Sequence, residues 1–213
     1  MKTDDLVTML ATGTGPVQPN QVLRRYSVAV GLGALGAAAL MLVLIGPRPD
    51  LAAAFLLPMF WVKIVFVACL AAVSLLVALR LSRPGMRLSW LPGALAAPVV
   101  AMWVLAAFVL IRAEPALRAQ LFFGDTWNSC PFLIATLSAP AFVAVFWAMR
   151  GLAPTRLRLS GAASGLLSGA VGTLMYSVHC PEMDAPFIGF WYLLGMLIPT
   201  VVGALLGPRL LRW

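Results

Sequence analysis

Apolar residues in this chain gather into long stretches with few polar interruptions. Six windows stand out: residues 26–45, 60–79, 91–111, 131–149, 159–178 and 187–206. Each is close to the roughly twenty residues an α-helix needs to cross a hydrocarbon layer. Helix-stopping residues fill the gaps. Gly46-Pro47-Arg48-Pro49 follows the first window, Arg83-Pro84-Gly85 the second and Gly151-Leu152-Ala153-Pro154 the fourth. The pattern predicts an all-α polytopic membrane protein. Residues 1–25 form a cytoplasmic amino-terminal segment, and residues 26–213 form a bundle of six transmembrane helices with short loops.

Composition removes the soluble alternative. The chain is 62% hydrophobic and 10% charged over 213 residues, too little charge to cover a water-soluble surface of that size. Its natural solvent is the lipid bilayer, with helix packed on helix. The amino terminus lacks the basic, apolar, small-residue order of a cleavable signal peptide, so the first window is expected to be a retained span.

The net charge of +8 would suit a nucleic-acid partner only if the basic residues shared one face with interleaved aromatics. They lie instead in short clusters at the ends of the apolar windows, which points to anionic lipid headgroups and excludes a direct nucleic-acid role. One set of loops carries Lys2, Arg24, Arg25, Arg80, Arg83, Arg87, Arg150, Arg156, Arg158, Arg209 and Arg212, and the other only Arg48, Lys63, Arg112 and Arg118. Eleven against four places both termini in the cytoplasm. The stretch 179–186 contains no Lys or Arg and is an outward loop. Lys63 falls inside an apolar window near its outer end and is expected to snorkel, its stem in lipid and its ammonium at the interface.

Small residues mark packing faces. Gly161, Gly165 and Gly169 recur at four-residue intervals, with Ser164, Ser168 and Gly172 beside them, a stripe that lets a second helix backbone come close. Gly31, Gly33, Gly36 and Ala37 repeat the theme more loosely. Pro140 and Pro199 interrupt the fourth and sixth windows and predict kinks, either static or hinge-like.

The chemistry gathers at the outer face. Cys69 lies mid-window among Val67, Ala68 and Leu70 and reads as core packing. Cys130 precedes Pro131 at the mouth of the fourth window, where proline suits a first helical turn and would leave Cys130 at the N-cap. Cys180 follows the fifth window in His179-Cys180-Pro181-Glu182-Met183-Asp184. Both thiols are expected at similar depth on neighbouring outer loops. Three roles fit the pair: a static disulfide, a reversible thiol pair that meets oxidants, or a soft-metal site using Cys130, Cys180 and also His179 or Glu182. His179 is the sole histidine, so no multi-histidine centre exists. No resident cofactor is expected beyond a soft metal ion held transiently at the cysteine pair. No Cys-x-x-Cys motif, paired intramembrane carboxylates or nucleophile with a base is present, so the chain does not read as an enzyme.

The segment 2–11 predicts a short helix, with Thr3 as cap, Asp4 and Asp5 in the first turn, and Leu6, Met9 and Leu10 along an apolar edge. Gly13, Gly15, Pro16 and Pro19 then break it. So short a helix is marginal alone in water. It suits a peptide that folds onto a cytoplasmic partner, and its acidic start disfavours the anionic lipid surface.

Several motifs occur together and in order. They are Met1-Lys2-Thr3-Asp4-Asp5-Leu6, Gly46-Pro47-Arg48-Pro49-Asp50-Leu51, Trp127 shortly before Cys130, His179-Cys180-Pro181, Trp191-Tyr192, and Gly207-Pro208-Arg209-Leu210-Leu211-Arg212-Trp213. Along its whole length the chain resembles the NrsF family of membrane anti-sigma factors, negative regulators of extracytoplasmic-function sigma factors in proteobacteria. The resemblance implies a multi-pass protein of the bacterial inner membrane whose amino terminus holds a sigma factor inactive. It also implies that an outer cysteine pair, here Cys130 and Cys180, links heavy-metal or oxidative stress to release. A small transporter or metal-uptake protein with the cysteines as a loading site is the alternative. A membrane thiol oxidoreductase is a third, but it would ordinarily need a second cysteine pair.

Overall fold

A computed structural model describes residues 3–12, 20–83, 85–152 and 154–212. Lys2, the breakers Gly13, Gly15, Pro16, Pro19, Pro84 and Ala153, and the terminal Trp213 lie outside the described residues. Among those described, every regular element is helical. In chain order they are α1 (Thr3–Thr12), α2 (Gln21–Leu44), α3 (Leu51–Ala54), α4 (Pro58–Leu81), α5 (Leu91–Arg112), α6 (Pro115–Phe123), α7 (Cys130–Arg150), α8 (Leu157–Tyr176) and α9 (Ala185–Leu210). One π-helical turn at Ile188–Tyr192 lies near the start of α9.

Helices α2, α4, α5, α7 and α9 are long and apolar enough to cross a membrane. Their outer faces carry large apolar side chains in the open: Val43 is 81% exposed, Ile111 76% and Leu205 71%. A water-soluble fold does not display apolar surface on that scale. Helix α8 is as long as a span but less apolar, because Ser160, Ser164, Ser168, Thr173 and four glycines dilute it. It sits inside the bundle against α9, α7, α4 and α2, with thirteen of its twenty residues buried. A helix that meets protein on most sides need not be greasy. Three of its hydroxyls find partners: Ser168 donates to the Ser164 carbonyl at 2.7 Å, Thr173 to that of Gly169 at 2.7 Å, and Ser164 to Met149 Sδ on α7 at 3.2 Å, while Ser160 Oγ is buried without a partner.

The small-residue stripe lets α8 and α9 meet backbone against backbone. A Cβ added at Gly161 would strike the Gly203 carbonyl, and one at Gly165 the Pro199 carbonyl. The looser stripe on α2 meets α7, where Gly33 abuts Ala141 and Gly36 abuts Pro140; Gly31 faces open space. Pro140 and Pro199 therefore both lie at helix contacts.

The core divides between the two ends of the bundle. One cluster holds Tyr26, Val77, Leu81, Leu91, Val145, Met149 and Leu167. Near it the amino end of α2 lines one groove with Trp147 and a second with Arg80 and Arg83, which gathers basic residues from separate loops at one end. The other cluster holds Phe66, Leu70, Cys130, Ile134, Tyr176, Cys180, Phe187, Trp191 and Tyr192. That end carries the candidate site.

Candidate functional site

Three loops meet at the second end: residues 45–50 after α2, residues 124–129 before α7, and residues 177–184 between α8 and α9. Their backbones and side chains bind one another. The Arg48 amide donates to the Val178 carbonyl at 3.3 Å. His179 Nδ1 lies 2.8 Å from the Gly46 carbonyl, which can only accept, so Nδ1 carries the proton. The Glu182 carboxylate accepts from the Asp125 amide at 2.9 Å and the Thr126 hydroxyl at 3.4 Å. Gly124 leaves room for that carboxylate; its φ of 55° favours glycine, and a Cβ there would lie 2.7 Å from Glu182 Cδ.

Beneath these loops lie the thiols. Ser129 is the N-cap of α7, Cys130 its first helical residue, and Pro131 follows. The expected N-cap position for Cys130 is thus one residue off. Cys180 follows the end of α8, its amide bonded to the Tyr176 carbonyl at 2.9 Å. Both cysteines are free thiols and both are wholly buried. The joined loops and the aromatic side chains around them shut out solvent from both thiols. Cys130, Cys180, Tyr176 and Tyr192 all lie in one buried cluster. Tyr192, on the π turn, lies beside Cys180, but its hydroxyl is buried with no aligned hydrogen bond.

Two cations approach the same place. Lys63 sits on α4 with no exposed surface. Its Nζ donates to the Cys180 carbonyl at 3.1 Å and the Glu182 carbonyl at 3.2 Å, and it lies 5.6 Å from the centre of the Phe60 ring. The expected snorkelling is therefore wrong: the stem turns inward, where two backbone dipoles and a ring face receive the charge. Arg48 forms a two-pronged ion pair with Asp50 at 2.7 and 2.6 Å, and its side chain is 8% exposed. Its Nη1 is buried without a partner, within electrostatic reach of Cys180. The Asp50 bond raises the Arg48 pKa and holds the Asp50 carboxyl below its ordinary value. Burial, and then the neighbouring Glu182 carboxylate, push the Asp184 carboxyl up.

The four residues considered for a metal divide. Cys130 and Cys180 converge, whereas His179 points Nδ1 at Gly46 and Glu182 is engaged by the 124–126 turn. Among the described residues no three His, Cys, Asp or Glu side chains gather as a metal site. Cys69 departs from its expected place: it is exposed on the bundle's outer surface, in a groove with Trp61, Pro98 and Met102, and does not pack in the core.

Comparison with known proteins fits this arrangement into a family. The family described as "NrsF: Negative regulator of sigma F" matches residues 10–213. The chain belongs to the NrsF family. It is 62% identical, over the full length of both chains, to "Probable anti-sigma-F factor NrsF" of Azospira oryzae. It is 41% identical, again over the full length of both, to "Anti-sigma-F factor NrsF" of Caulobacter vibrioides. No solved structure matches. The NrsF family is regulatory rather than catalytic. The parts of this NrsF-family chain that sequence reasoning missed are Lys63, Arg48, Tyr176 and Tyr192. One signal was available for Lys63: it shares a three-and-four spacing with Phe60, Val67, Leu70 and Ser74, all on the buried face of α4.

The amino-terminal helix is observed as α1, with Asp4 and Asp5 in its first turn and Thr3 as its first helical residue, not its cap. Leu6, Val7, Met9 and Leu10 are 41%, 59%, 69% and 66% exposed, an apolar edge left open.

Proposed function

We propose that this chain is an inner-membrane anti-sigma factor that binds an extracytoplasmic-function sigma factor through α1 and releases it when Cys130 and Cys180 react. Six spans are proposed, α8 being the sixth, with the Arg-rich end and both termini in the cytoplasm. That orientation follows from the basic-residue bias and puts the thiol loops outside. The single observation that carries the sensing role is that Cys130, at the start of α7, and Cys180, in the loop after α8, are free thiols buried in one cluster.

Two reactions suit that pair. A hydroperoxide breaks its O–O bond on the first thiol, and the second thiol then closes an S–S bond. Overall two thiols and one hydroperoxide yield a disulfide, one water and one alcohol, the alcohol being a second water when the oxidant is hydrogen peroxide. Alternatively, a soft metal ion binds both sulfurs as thiolates and two protons leave. Either reaction ties the start of α7 to the α8–α9 loop. The packed α8–α9 pair then carries the altered loop position towards the opposite end. A stimulus shifts such an equilibrium only by its differential affinity for the two states, so the bonded pair must fit one state better than the other.

The experiment is co-purification of the sigma factor with the full-length protein. The parent retains it. A Leu6→Ser, Met9→Ser, Leu10→Ser triple variant loses it while remaining in the membrane fraction. Undiminished co-purification by the triple variant rejects α1 as the clamp.

A further inference from the structure

A buried lysine in a membrane helix calls for a reason. Removing an ammonium from water is costly, and an apolar side chain of similar volume is often at least as stabilising. Lys63 lies among apolar neighbours on α4, where Phe60, Phe66 and Val67 are all buried. Among the described residues no carboxylate lies within ion-pair distance of its Nζ, since Arg48–Asp50 is the ion pair formed there. The closest acidic candidate, Glu182, turns its carboxylate to the Asp125 amide and offers Lys63 its carbonyl instead. The second carbonyl that Lys63 takes belongs to Cys180 itself. The charge is thus directed at the backbone of the loop that carries Cys180.

We propose that Lys63 is the latch of the thiol site, a positioning residue whose ammonium holds the 177–184 loop closed over Cys130. Its two acceptors flank Pro181, so both sides of the loop's tip are tied to α4. The latch fixes the direction of the Cys180 side chain, which then faces Cys130 and Tyr176 and not the aqueous side. Apart from its bonds to the adjoining helix α8, this loop is tied to neighbouring loops: Gly46 through His179, Arg48 through Val178, and Asp125 and Thr126 through Glu182. Lys63 supplies a tie to a membrane helix remote in sequence. The latch deepens the proposed sensing role, because it keeps the thiols paired and sheltered until a small reagent enters. Its own test does not depend on sigma-factor release.

The test is site-resolved alkylation of the purified full-length protein by N-ethylmaleimide, read by mass spectrometry at each cysteine. In the parent, Cys130 and Cys180 react slowly, and the outward-facing Cys69 serves as the internal reference. Lys63→Met raises the Cys180 rate about tenfold or more, as expected from losing two hydrogen bonds to a charged donor, and leaves Cys69 unchanged. Lys63→Arg keeps a cation with several N–H donors at that place, and its Cys180 rate stays within about threefold of the parent. An unchanged Cys180 rate in Lys63→Met overturns the latch. So does a rise at Cys69 as large as that at Cys180, which marks general loosening. A failure of the cysteine variants to alter sigma-factor release would sink the sensing role while leaving these rates as they are.

Discussion

The Glu182 carboxylate accepts the Asp125 amide at 2.9 Å, although the two residues are 57 positions apart. This contact joins the loop that carries Cys180 to the loop that leads into Cys130. Glu182→Ala removes it and exposes the Asp125 and Thr126 donors to water at a half-buried site. A loss of about 1 kcal/mol in stability is expected, together with slower disulfide formation between Cys130 and Cys180 under diamide. Gly124→Ala acts in the same direction, because the added methyl meets the carboxylate at a positive φ. Non-reducing electrophoresis over time measures the rate, and parental rates in both variants exclude a role for this contact.

The α8–α9 seam makes a sharp steric prediction. Gly165→Val places a branched side chain against the Pro199 carbonyl, and should cost about 1–3 kcal/mol or more through overpacking. Gly31→Ala, at a position with nothing within 4 Å of the added carbon, is expected to be neutral or to gain up to about 1 kcal/mol from helix propensity. Thermal unfolding in detergent should separate the two clearly. Equal melting temperatures would mean that the helices do not meet through this face.

Two buried tyrosines should respond differently to loss of their hydroxyls. Tyr26 Oη lies 3.0 Å from Ser82 Oγ, which itself donates to the Ala78 carbonyl at 2.7 Å, so Tyr26→Phe removes one buried hydrogen bond and costs about 1 kcal/mol. Tyr192 Oη is buried without an aligned partner, so Tyr192→Phe should be neutral or slightly stabilising. Chemical denaturation of the two variants checks the order.

Asp184 gives a pH signature. Its folded-state pKa lies above the ordinary 3.8, mainly through burial. The folded protein therefore holds this proton more tightly than the unfolded chain. The stabilising contribution is fully present below pH 3.8 and is lost as the pH rises through the folded-state value. Asp184→Asn should be more stable than the parent at neutral pH, with the gap closing as pH falls towards 3.8. A gap that stays constant across that range would contradict the assignment.

Much of this arrangement is visible in the residues. Windows of about twenty apolar residues coincide with α2, α4, α5, α7 and α9, because helix length in a membrane is set by the thickness of the lipid. The glycine spacing on α8 marks a close helix contact, because only small side chains allow one. What the residues conceal is rotation about each helix axis. Lipid and protein interior are equally apolar, so hydropathy does not say whether Lys63 or Cys69 faces inward. Lys63 is buried and Cys69 exposed, the reverse of what the residues around them suggest. The depth of the thiols is hidden in the same way. Three separate loops and the aromatic side chains of Tyr176 and Tyr192 cover them, and no local motif encodes that cover. The short helix α6 also escapes the apolar windows, since it is only nine residues long and lies between two of them.

The central claim is that bonding Cys130 to Cys180 changes the hold on the sigma factor. It is tested most directly by loading membranes containing the full-length protein with its sigma factor, adding hydrogen peroxide, and following released sigma factor and the disulfide in the same samples. The parent should release sigma factor in step with the appearance of the Cys130–Cys180 bond. Cys180→Ser should form no bond and keep one output whether or not peroxide is present. Release from Cys180→Ser at the parental rate and extent would contradict the account.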